Sequence, residues 1–295
     1  MPVAPHSPSD PQDLIRALPL WHGPIEIEPL AGGLTNRNYL VREGAKRAVI
    51  RLGGDIPWHG IMRFNEHAAS RAAAAAGISP AVLHTGPGVI AFDFIDGRTF
   101  TADDIRSDRE RCTALLRRAH RDVALYLRGP ILSFNVFHII RDYAHSLTEA
   151  TSRAAPLLPR LQAAAAQLEQ SVGPIALVLG HNDLLPANFM DDGARLWLVD
   201  WDYAGFNTPL FDLGGLSSNA GFTATEDEAL LEAYFERPAD DALRLRFRAM
   251  RCASLLRETL WSFVSELHAT LDFDYAAYSA ENLARFEAAW REFEQ

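Results

Sequence analysis

Short runs in which apolar and polar residues alternate occupy the first third of the chain, and longer helical patterns follow. Residues 25–28 alternate strictly, as a half-buried strand does. Further strand-like runs are 38–41, 48–52 and 89–95. The break at residues 96–98 ends the last of these runs. We therefore predict an α+β fold with an antiparallel-sheet N-terminal lobe at residues 1–95 and a mainly helical C-terminal lobe at residues 96–295.

A glycine-rich turn separates the first two predicted strands. It contains Gly33, Leu34, Thr35 and Asn36. A hairpin of this kind can cover the phosphates of a nucleotide with its backbone N–H groups. The alternative is a turn that only connects two strands, and the turn by itself does not decide between the two.

A cation on the third predicted strand and an acid on the next predicted helix are further candidates for nucleotide binding. Arg51 lies on strand 48–52, and Glu66 lies in a helix predicted at residues 63–76, which Gly77 closes. We predict that Glu66 pairs with Arg51 and aims its guanidinium at the phosphates. The alternative is a surface arginine on an edge strand and a solvated glutamate on a helix.

The most informative stretch is a polar loop between two apolar runs. It has the spacing His-x-Asp-x-x-x-x-Asn, with Asp183 and Asn188, and the second apolar run ends on Asp200. Transfer of a γ-phosphoryl group needs a carboxylate beside the acceptor hydroxyl, and an amide oxygen and a second carboxylate on the metal ion. We therefore predict Asp183 as the catalytic base and Asn188 and Asp200 as ligands of Mg²⁺. The alternative is a polar turn in which Asp183 and Asn188 cap the backbone.

Composition and charge narrow the class of protein. The chain has 295 residues, 48% of them hydrophobic, and a formal net charge of -10. Nucleic-acid binding relies on clustered Lys and Arg, so no nucleic-acid partner is expected. The two cysteines form neither a disulfide framework nor a zinc pattern, and no window of about 18 apolar residues is available to span a membrane. We expect a cytoplasmic enzyme without membrane insertion.

Acidic residues are concentrated around the polar loop. Six aspartates and one arginine lie between residues 183 and 212. Such a cluster repels itself unless cations occupy it, and Mg²⁺ with ATP and a cationic substrate would supply them. We predict that Asp212 holds the loop rather than touching substrate. His120, inside a helix predicted at residues 101–127, is expected to be a packed core histidine.

These motifs resemble the choline/ethanolamine kinases, within the aminoglycoside-phosphotransferase-like branch of the protein-kinase fold. The resemblance runs from about residue 32 to residue 286. The matching motifs are His181-Asn182-Asp183 through Asn188, Val199-Asp200-Trp201-Asp202-Tyr203, and Phe211-Asp212. The resemblance implies a two-lobe kinase-like fold that uses ATP and Mg²⁺, with Asp183 as the base and Arg51 in place of the kinase lysine.

The same resemblance implies a substrate pocket. The family places a Trp-bearing helix and a Phe-x-Tyr-x-x-Tyr stretch around a quaternary ammonium group, and these look like Trp261 and residues 273–278 here. With Asp202 and Tyr203, the rings of Trp261 and Tyr278 would form a cage held by cation–π attraction, without a basic residue in its lining. The alternative is that Trp261 and Tyr278 are core aromatics at helical spacing.

Two departures from the family bear on the substrate. The family's second Trp looks like Val264 here, and an acid that often follows the Phe-Asp motif looks like Asn219. We predict phosphorylation of a small cationic alcohol, most of all choline and otherwise ethanolamine. The alternatives are a phosphotransferase of the same fold acting on an aminoglycoside, thiamine or a sugar, and a non-catalytic nucleotide-binding protein. The sequence makes no prediction of the oligomeric state.

Overall fold

The computed structural model separates into two compact units. It describes residues 10–30, 36–268 and 273–295. The first unit contains the residues up to Asp55 together with Pro80–Asp96, and the second contains Ile56–Ser79 and Gly97–Gln295. One unit is built on an antiparallel sheet and the other is mainly helical, which confirms the α+β class.

The sheet unit has one short helix and five strands. They are α1 (Pro11–Arg16), β1 (Glu26–Leu30), β2 (Arg37–Glu43), β3 (Lys46–Leu52), β4 (Val82–Gly86) and β5 (Val89–Asp93). The strand order is β1-β2-β3-β5-β4, and every neighbouring pair is antiparallel. Alternation along β3 buries Ala48 and Ile50 in an apolar cluster with Ile15 of α1. Arg51 therefore projects from the opposite face of the sheet.

The second unit begins with a helix that the sequence predicted in the N-terminal lobe. This helix is α2 (Arg63–Ala75). Its residues Ala69 and Ala72 belong to the same apolar cluster as the helices that follow, since small side chains on one face allow close packing. The compact units thus group residues 56–79 with the helical part, and the predicted lobe boundary after residue 95 stays a prediction.

The other elements of the second unit follow in chain order. They are β6 (Arg98–Thr99), α3 (Ala102–Ser107), α4 (Arg109–Tyr126), α5 (Val136–Glu149), α6 (Leu158–Val172), β7 (Val178–Gly180), β8 (Phe189–Asp191), β9 (Leu196–Leu198), β10 (Gly205–Asn207), α7 (Pro209–Ala220), α8 (Ala224–Phe235), α9 (Asp241–His268) and α10 (Tyr275–Phe293). Strands β6, β8 and β9 form one small antiparallel sheet, and β7 pairs with β10. None of the helices in the described ranges is both long and apolar enough for a membrane crossing.

The long helix α9 is the centre of the helical unit. It packs against α5, α6, α7 and α10. Its contact with α7 needs a glycine, because a Cβ at Gly214 would lie 2.8 Å from the backbone of Arg251. This close approach brings α9 side chains next to the loop that precedes α7.

The single helix predicted at residues 101–127 is wrong, because the chain breaks at Asp108. Thr101 and Asp104 cap α3 with a reciprocal pair of hydrogen bonds. Asp108 then leaves helical geometry at φ -112° and ψ 33°, and its carboxylate accepts from Arg111 at 2.7 Å. Aspartate competes well for local hydrogen bonds outside a helix, and this favours the break.

Candidate active site

Asp212, in the first turn of α7, fixes the backbone of the loop that carries Asp183. Its carboxylate accepts hydrogen bonds from the backbone N–H of His181 at 2.8 Å and of Asn182 at 2.7 Å. It also accepts one from His120 Nε2 at 2.8 Å. Three donors on one buried carboxylate hold the loop in place, so the role predicted for Asp212 is confirmed.

His120 lies in the core, as predicted, and extends this anchor. Its Nδ1 accepts from the Tyr234 hydroxyl at 2.7 Å when Nε2 donates to Asp212. Burial acts to raise the pKa of Asp212, but the interactions with His120 and His181 outweigh it and hold that pKa below its ordinary value. An ionised carboxylate is the stronger acceptor, which suits its position between several donors.

Asn182 ties the loop to β10. Its backbone is left-handed at φ 65°, a conformation that asparagine adopts more readily than most residues. Its side chain is buried and donates to the carbonyl of Tyr203 at 3.0 Å, while its Oδ1 accepts from Asn207 at 2.9 Å. Gly180 leaves space for this arrangement, since a Cβ there would lie 2.9 Å from Asn182 Oδ1.

The backbone around Asp183 is held from both sides, and its carboxylate lines a cavity. The Asp183 N–H donates to His181 Nδ1 at 3.3 Å, and the Asp183 carbonyl accepts from Asn188 at 2.8 Å. His181 Nε2 in turn donates to the carbonyl of Val199 at 2.9 Å. Burial raises the pKa of Asp183 to about 8; Arg257 lowers it, and neighbouring carboxylates raise it further.

Asn188 and Asp200 are the two residues predicted to hold Mg²⁺. Asn188 uses its amide N–H on Asp183, so its amide oxygen remains as a donor atom for a metal. The carbonyl of Asn188 accepts from the N–H of Val199 at 2.9 Å. Asp200 directly follows Val199 in the chain, so this hydrogen bond keeps the backbone of Asp200 near Asn188. Oxygen donors of this kind fit Mg²⁺, which usually takes only one or two carboxylates besides phosphates and water. Accordingly, the described part of the chain has no cluster of three His, Cys, Asp or Glu that could hold a metal alone.

A cavity opens beside Asp183. Its polar lining comes from Asp183, Ser218, Asn219, Ser254, Arg257 and Glu258. Asn219, which replaces the acid of the resembled family, donates to the carbonyl of Leu184 at 3.2 Å. The cavity therefore offers hydroxyl, amide and carboxylate oxygens rather than a wall of aromatic faces.

The three aromatic residues predicted to form a cage lie together, and other groups already contact them. Trp261 Nε1 donates to the Tyr203 hydroxyl at 2.8 Å. The rings of Trp261 and Tyr278 are nearly perpendicular, with their centroids 6.4 Å apart. His59 stacks on Trp261 at 4.7 Å between ring centroids. Val264, at the position of the second family Trp, is fully buried.

A basic residue also lies among these rings, contrary to expectation. The Arg257 guanidinium lies over the face of Tyr203, 4.4 Å from the ring centroid. It donates through Nη1 to Glu258 at 3.0 Å, and Glu258 accepts from the Tyr278 hydroxyl at 2.8 Å. The expectation of a pocket without a basic residue is therefore wrong, because α9 brings its own cation to Tyr203.

Asp202 and Tyr203 line a second cavity. Its lining also contains Asp142 and the rings of Phe134 and Tyr143, together with His59. Asp202 accepts from Arg63 at 3.3 Å, and Arg63 also donates to the buried Glu66 at 2.5 Å. Of the four substrate residues predicted from sequence, Asp202 and Tyr203 line this second cavity, whereas Trp261 and Tyr278 line neither it nor the cavity beside Asp183.

Of the predicted nucleotide residues that the structure describes, Asn36 and Arg51 belong to the sheet unit and Glu66 to the helical unit. Gly33, Leu34 and Thr35 lie outside the described residues, and Asn36 stands directly before β2. Arg51 donates through Nε to Asn38, its cross-strand neighbour, at 3.3 Å. Arg51 and Glu66 belong to different units, so their predicted pairing stays a prediction.

Comparison with known proteins assigns the chain to a family. Residues 26–248 match the model of the phosphotransferase enzyme family. The chain belongs to this family. A choline/ethanolamine kinase family protein from Mesorhizobium loti has a crystal structure with 32% sequence identity and a TM-score of 0.78, and the match covers 96% of each chain. The resemblance to choline/ethanolamine kinases is thereby confirmed for this phosphotransferase, together with the two-lobe kinase-like fold.

Two other relatives extend the match over most of the phosphotransferase. Protein LicA of Haemophilus influenzae is 27% identical over 280 residues, which is 90% of this chain and 79% of LicA. The choline kinase LicA from Streptococcus pneumoniae has a TM-score of 0.73 at 22% identity, covering 88% of this chain and 94% of that one. At that identity the second likeness shows the fold alone.

Sequence reasoning missed three charged residues of the phosphotransferase that lie at these cavities. Arg257 and Glu258 stand four and three residues before Trp261, so helical spacing alone places them on the same face as that ring. This signal was available in the sequence. Arg63 gives no such signal, because it meets Asp202 across 139 positions of the chain.

Proposed function

We propose that this phosphotransferase transfers the γ-phosphoryl group of ATP to the hydroxyl of a small amino alcohol. The observation that supports this most is the anchored loop. Asp212 accepts a hydrogen bond from the backbone of this loop, and Asp183 of the loop lines a cavity. The Asn188 side chain donates to the Asp183 carbonyl. That arrangement meets the requirement of phosphoryl transfer for a fixed base next to metal ligands.

The proposed reaction uses Asp183 as general base. Its carboxylate orients the alcohol and takes the hydroxyl proton as the alcohol oxygen bonds to the γ-phosphorus. The bond from that phosphorus to the β–γ bridging oxygen breaks, and ADP leaves with the electron pair. With its pKa raised to about 8, the Asp183 carboxyl is a stronger base than an ordinary aspartate, which suits proton abstraction near neutral pH.

Residues of both units would hold the nucleotide and its metal. Mg²⁺, bound through Asn188 and Asp200, would neutralise charge on the β- and γ-phosphates. In the same proposal Arg51 contacts the phosphates, Glu66 orients Arg51, and the turn from Gly33 to Asn36 covers the nucleotide. We also keep a cytoplasmic location as part of the proposal.

The lining of the cavity beside Asp183 supports a primary amine more than a quaternary one. A primary ammonium has three N–H donors and needs oxygen acceptors, which Glu258, Asn219 and the serines provide. A trimethylammonium group donates nothing and favours aromatic faces. Because Arg257 covers one face of Tyr203, we place ethanolamine ahead of choline, reversing the order expected from the sequence.

One assay separates the amino alcohol from the alternative substrates. ATP consumption should be measured with ethanolamine, choline, thiamine, an aminoglycoside and an amino sugar. Turnover confined to an aminoglycoside or a sugar would contradict the amino alcohol and leave the phosphoryl transfer intact.

Asp183→Asn tests the chemistry directly. We expect kcat to fall at least roughly 10²-fold, the lower range for loss of a general base, with little change in ATP binding. Asp192→Asn is the matched control, because Asp192 is an aspartate of the same region whose carboxylate accepts from the turn N–H groups of Ala194 and Arg195. Near-native turnover by the Asp183 variant would remove the central residue of the proposal.

A further inference from the structure

Arg257 is a buried cation whose donors are only partly used. The residue is 4% exposed, and Nη1 donates to Glu258 at 3.0 Å. Nε and Nη2 have no hydrogen-bond partner within the described parts of the chain. The N–H groups of these two nitrogens are therefore without a well-placed protein acceptor, although the Tyr143 hydroxyl interacts with the guanidinium.

Such a group needs an explanation in physical terms. A buried donor without an acceptor is unfavourable, and a charged one more so, because water is lost without replacement. Native proteins leave few such groups, and those that occur are commonly satisfied by water or a ligand. Arg257 lines the cavity that contains Asp183, so an acceptor bound in that cavity would lie beside the guanidinium.

The surroundings of Arg257 fix its guanidinium in place and leave the fork formed by Nε and Nη2 for a ligand. The guanidinium carbon lies 4.4 Å from the centroid of Tyr203 and 5.7 Å from that of Phe134. Glu258, which takes one N–H of Arg257, is itself held by the Tyr278 hydroxyl. A guanidinium fixed in this way matches the planar, two-oxygen geometry of a carboxylate or phosphate.

We propose that Arg257 binds an anionic oxygen of the reacting molecules, beside the carboxylate of Asp183. This inference rests on the proposed function and names a specificity-determining residue for it. Two sources share this chemistry. One is a carboxylate carried by the alcohol, which would make a hydroxy amino acid the preferred substrate; the other is the transferred phosphoryl group itself.

Ethanolamine and L-serine separate the two sources, because they differ only by the carboxylate. Serinol, in which a hydroxymethyl group replaces that carboxylate, controls for size. Each alcohol should be tested with the wild type, with Arg257→Met, which keeps an apolar stem of similar length, and with Arg257→Lys, which keeps the charge without the fork. Arg248→Met is the matched control, since Arg248 is an exposed residue of the same helix.

Each source predicts its own result. If Arg257 binds the carboxylate, the wild type prefers L-serine to serinol, and Arg257→Met raises the KM for L-serine at least roughly tenfold more than that for ethanolamine. If it binds the phosphoryl group, Arg257→Met lowers kcat for every alcohol at least roughly tenfold with KM little changed, and weakens binding of phosphoethanolamine measured by calorimetry. Partial recovery by Arg257→Lys is expected in both cases.

The results that overturn the inference differ from those that overturn the proposed function. A folded Arg257→Met protein with wild-type kcat and KM for all three alcohols, and with unchanged phosphoethanolamine binding, ends the role of Arg257 alone. A wild type that consumes ATP with none of the alcohols ends the proposed function, and this inference with it. Should Arg257→Met not fold, as judged by circular dichroism and thermal unfolding, the same measurements on Arg257→Lys decide the question.

Discussion

Replacing Asp212 by asparagine should damage both the stability and the activity of the enzyme. The carboxylate accepts three hydrogen bonds, from the N–H groups of His181 and Asn182 and from His120 Nε2. An amide of the same shape has one oxygen, so its NH₂ group must face at least one of the two loop N–H donors. His120 can change tautomer and accept instead of donating, but a backbone N–H cannot.

The magnitude follows from these contacts. A hydrogen bond to a charged group contributes about 1.5–3 kcal/mol, and a buried donor left without an acceptor costs about 1–3 kcal/mol. Loss of one loop hydrogen bond, with weakening of the other, gives about 2–4 kcal/mol in the free energy of unfolding. This is a large fraction of the roughly 5–15 kcal/mol that stabilises a typical protein. If the loop shifts by about 1 Å, kcat should fall roughly 10²-fold.

The assay combines urea unfolding with steady-state kinetics. Asp227→Asn is the control, because Asp227 is another buried carboxylate that accepts from Ser217 and from Arg251, outside the catalytic loop. We expect both variants to lose stability and only Asp212→Asn to lose kcat under conditions where both are folded. Equal losses of kcat in the two variants, or full kcat in Asp212→Asn, would refute the anchoring role.

Two further predictions concern the metal and the pH dependence of stability. Asp200→Ala should abolish Mg²⁺-dependent ATP binding and activity together, and an unchanged dependence on Mg²⁺ in calorimetry and turnover would contradict the ligand role. Burial, and next the charge of Arg257, lower the pKa of His59 to about 3, so below pH 6.5 the unfolded chain takes up a proton that the folded protein excludes. The contribution of His59 to the free energy of unfolding is therefore complete above pH 6.5. It falls as the pH drops, and the loss is about 1.4 kcal/mol at pH 5.5. His59→Gln should remove this part of the slope in urea unfolding at pH 7.5, 6.5 and 5.5, and an identical slope in both proteins would argue against it.

The sequence by itself determined most of the local elements and the candidate catalytic loop. Alternating and apolar runs predicted four of the five strands of the first unit and missed β4. The spacing from Asp183 to Asn188 and on to Asp200 predicted the candidate site within one continuous stretch. Asp212 could be assigned as the anchor of the loop because it belongs to the Phe211-Asp212 motif. These features depend on residues close together in the chain, where strand and helix periodicity is a direct consequence of backbone geometry.

Only the tertiary structure decided what surrounds the predicted substrate residues. The predicted cage treated Tyr203, Trp261 and Tyr278 as free faces, but α9 also places Arg257 over Tyr203 and Glu258 under the Tyr278 hydroxyl. Tyr203 and Trp261 are 58 residues apart, and they meet through the packing of α9. Helical spacing predicts which side chains share a face of α9, but it does not predict against which element that face packs. That contact depends on how helices pack, and one glycine, Gly214, lets α7 approach α9 closely enough to form it.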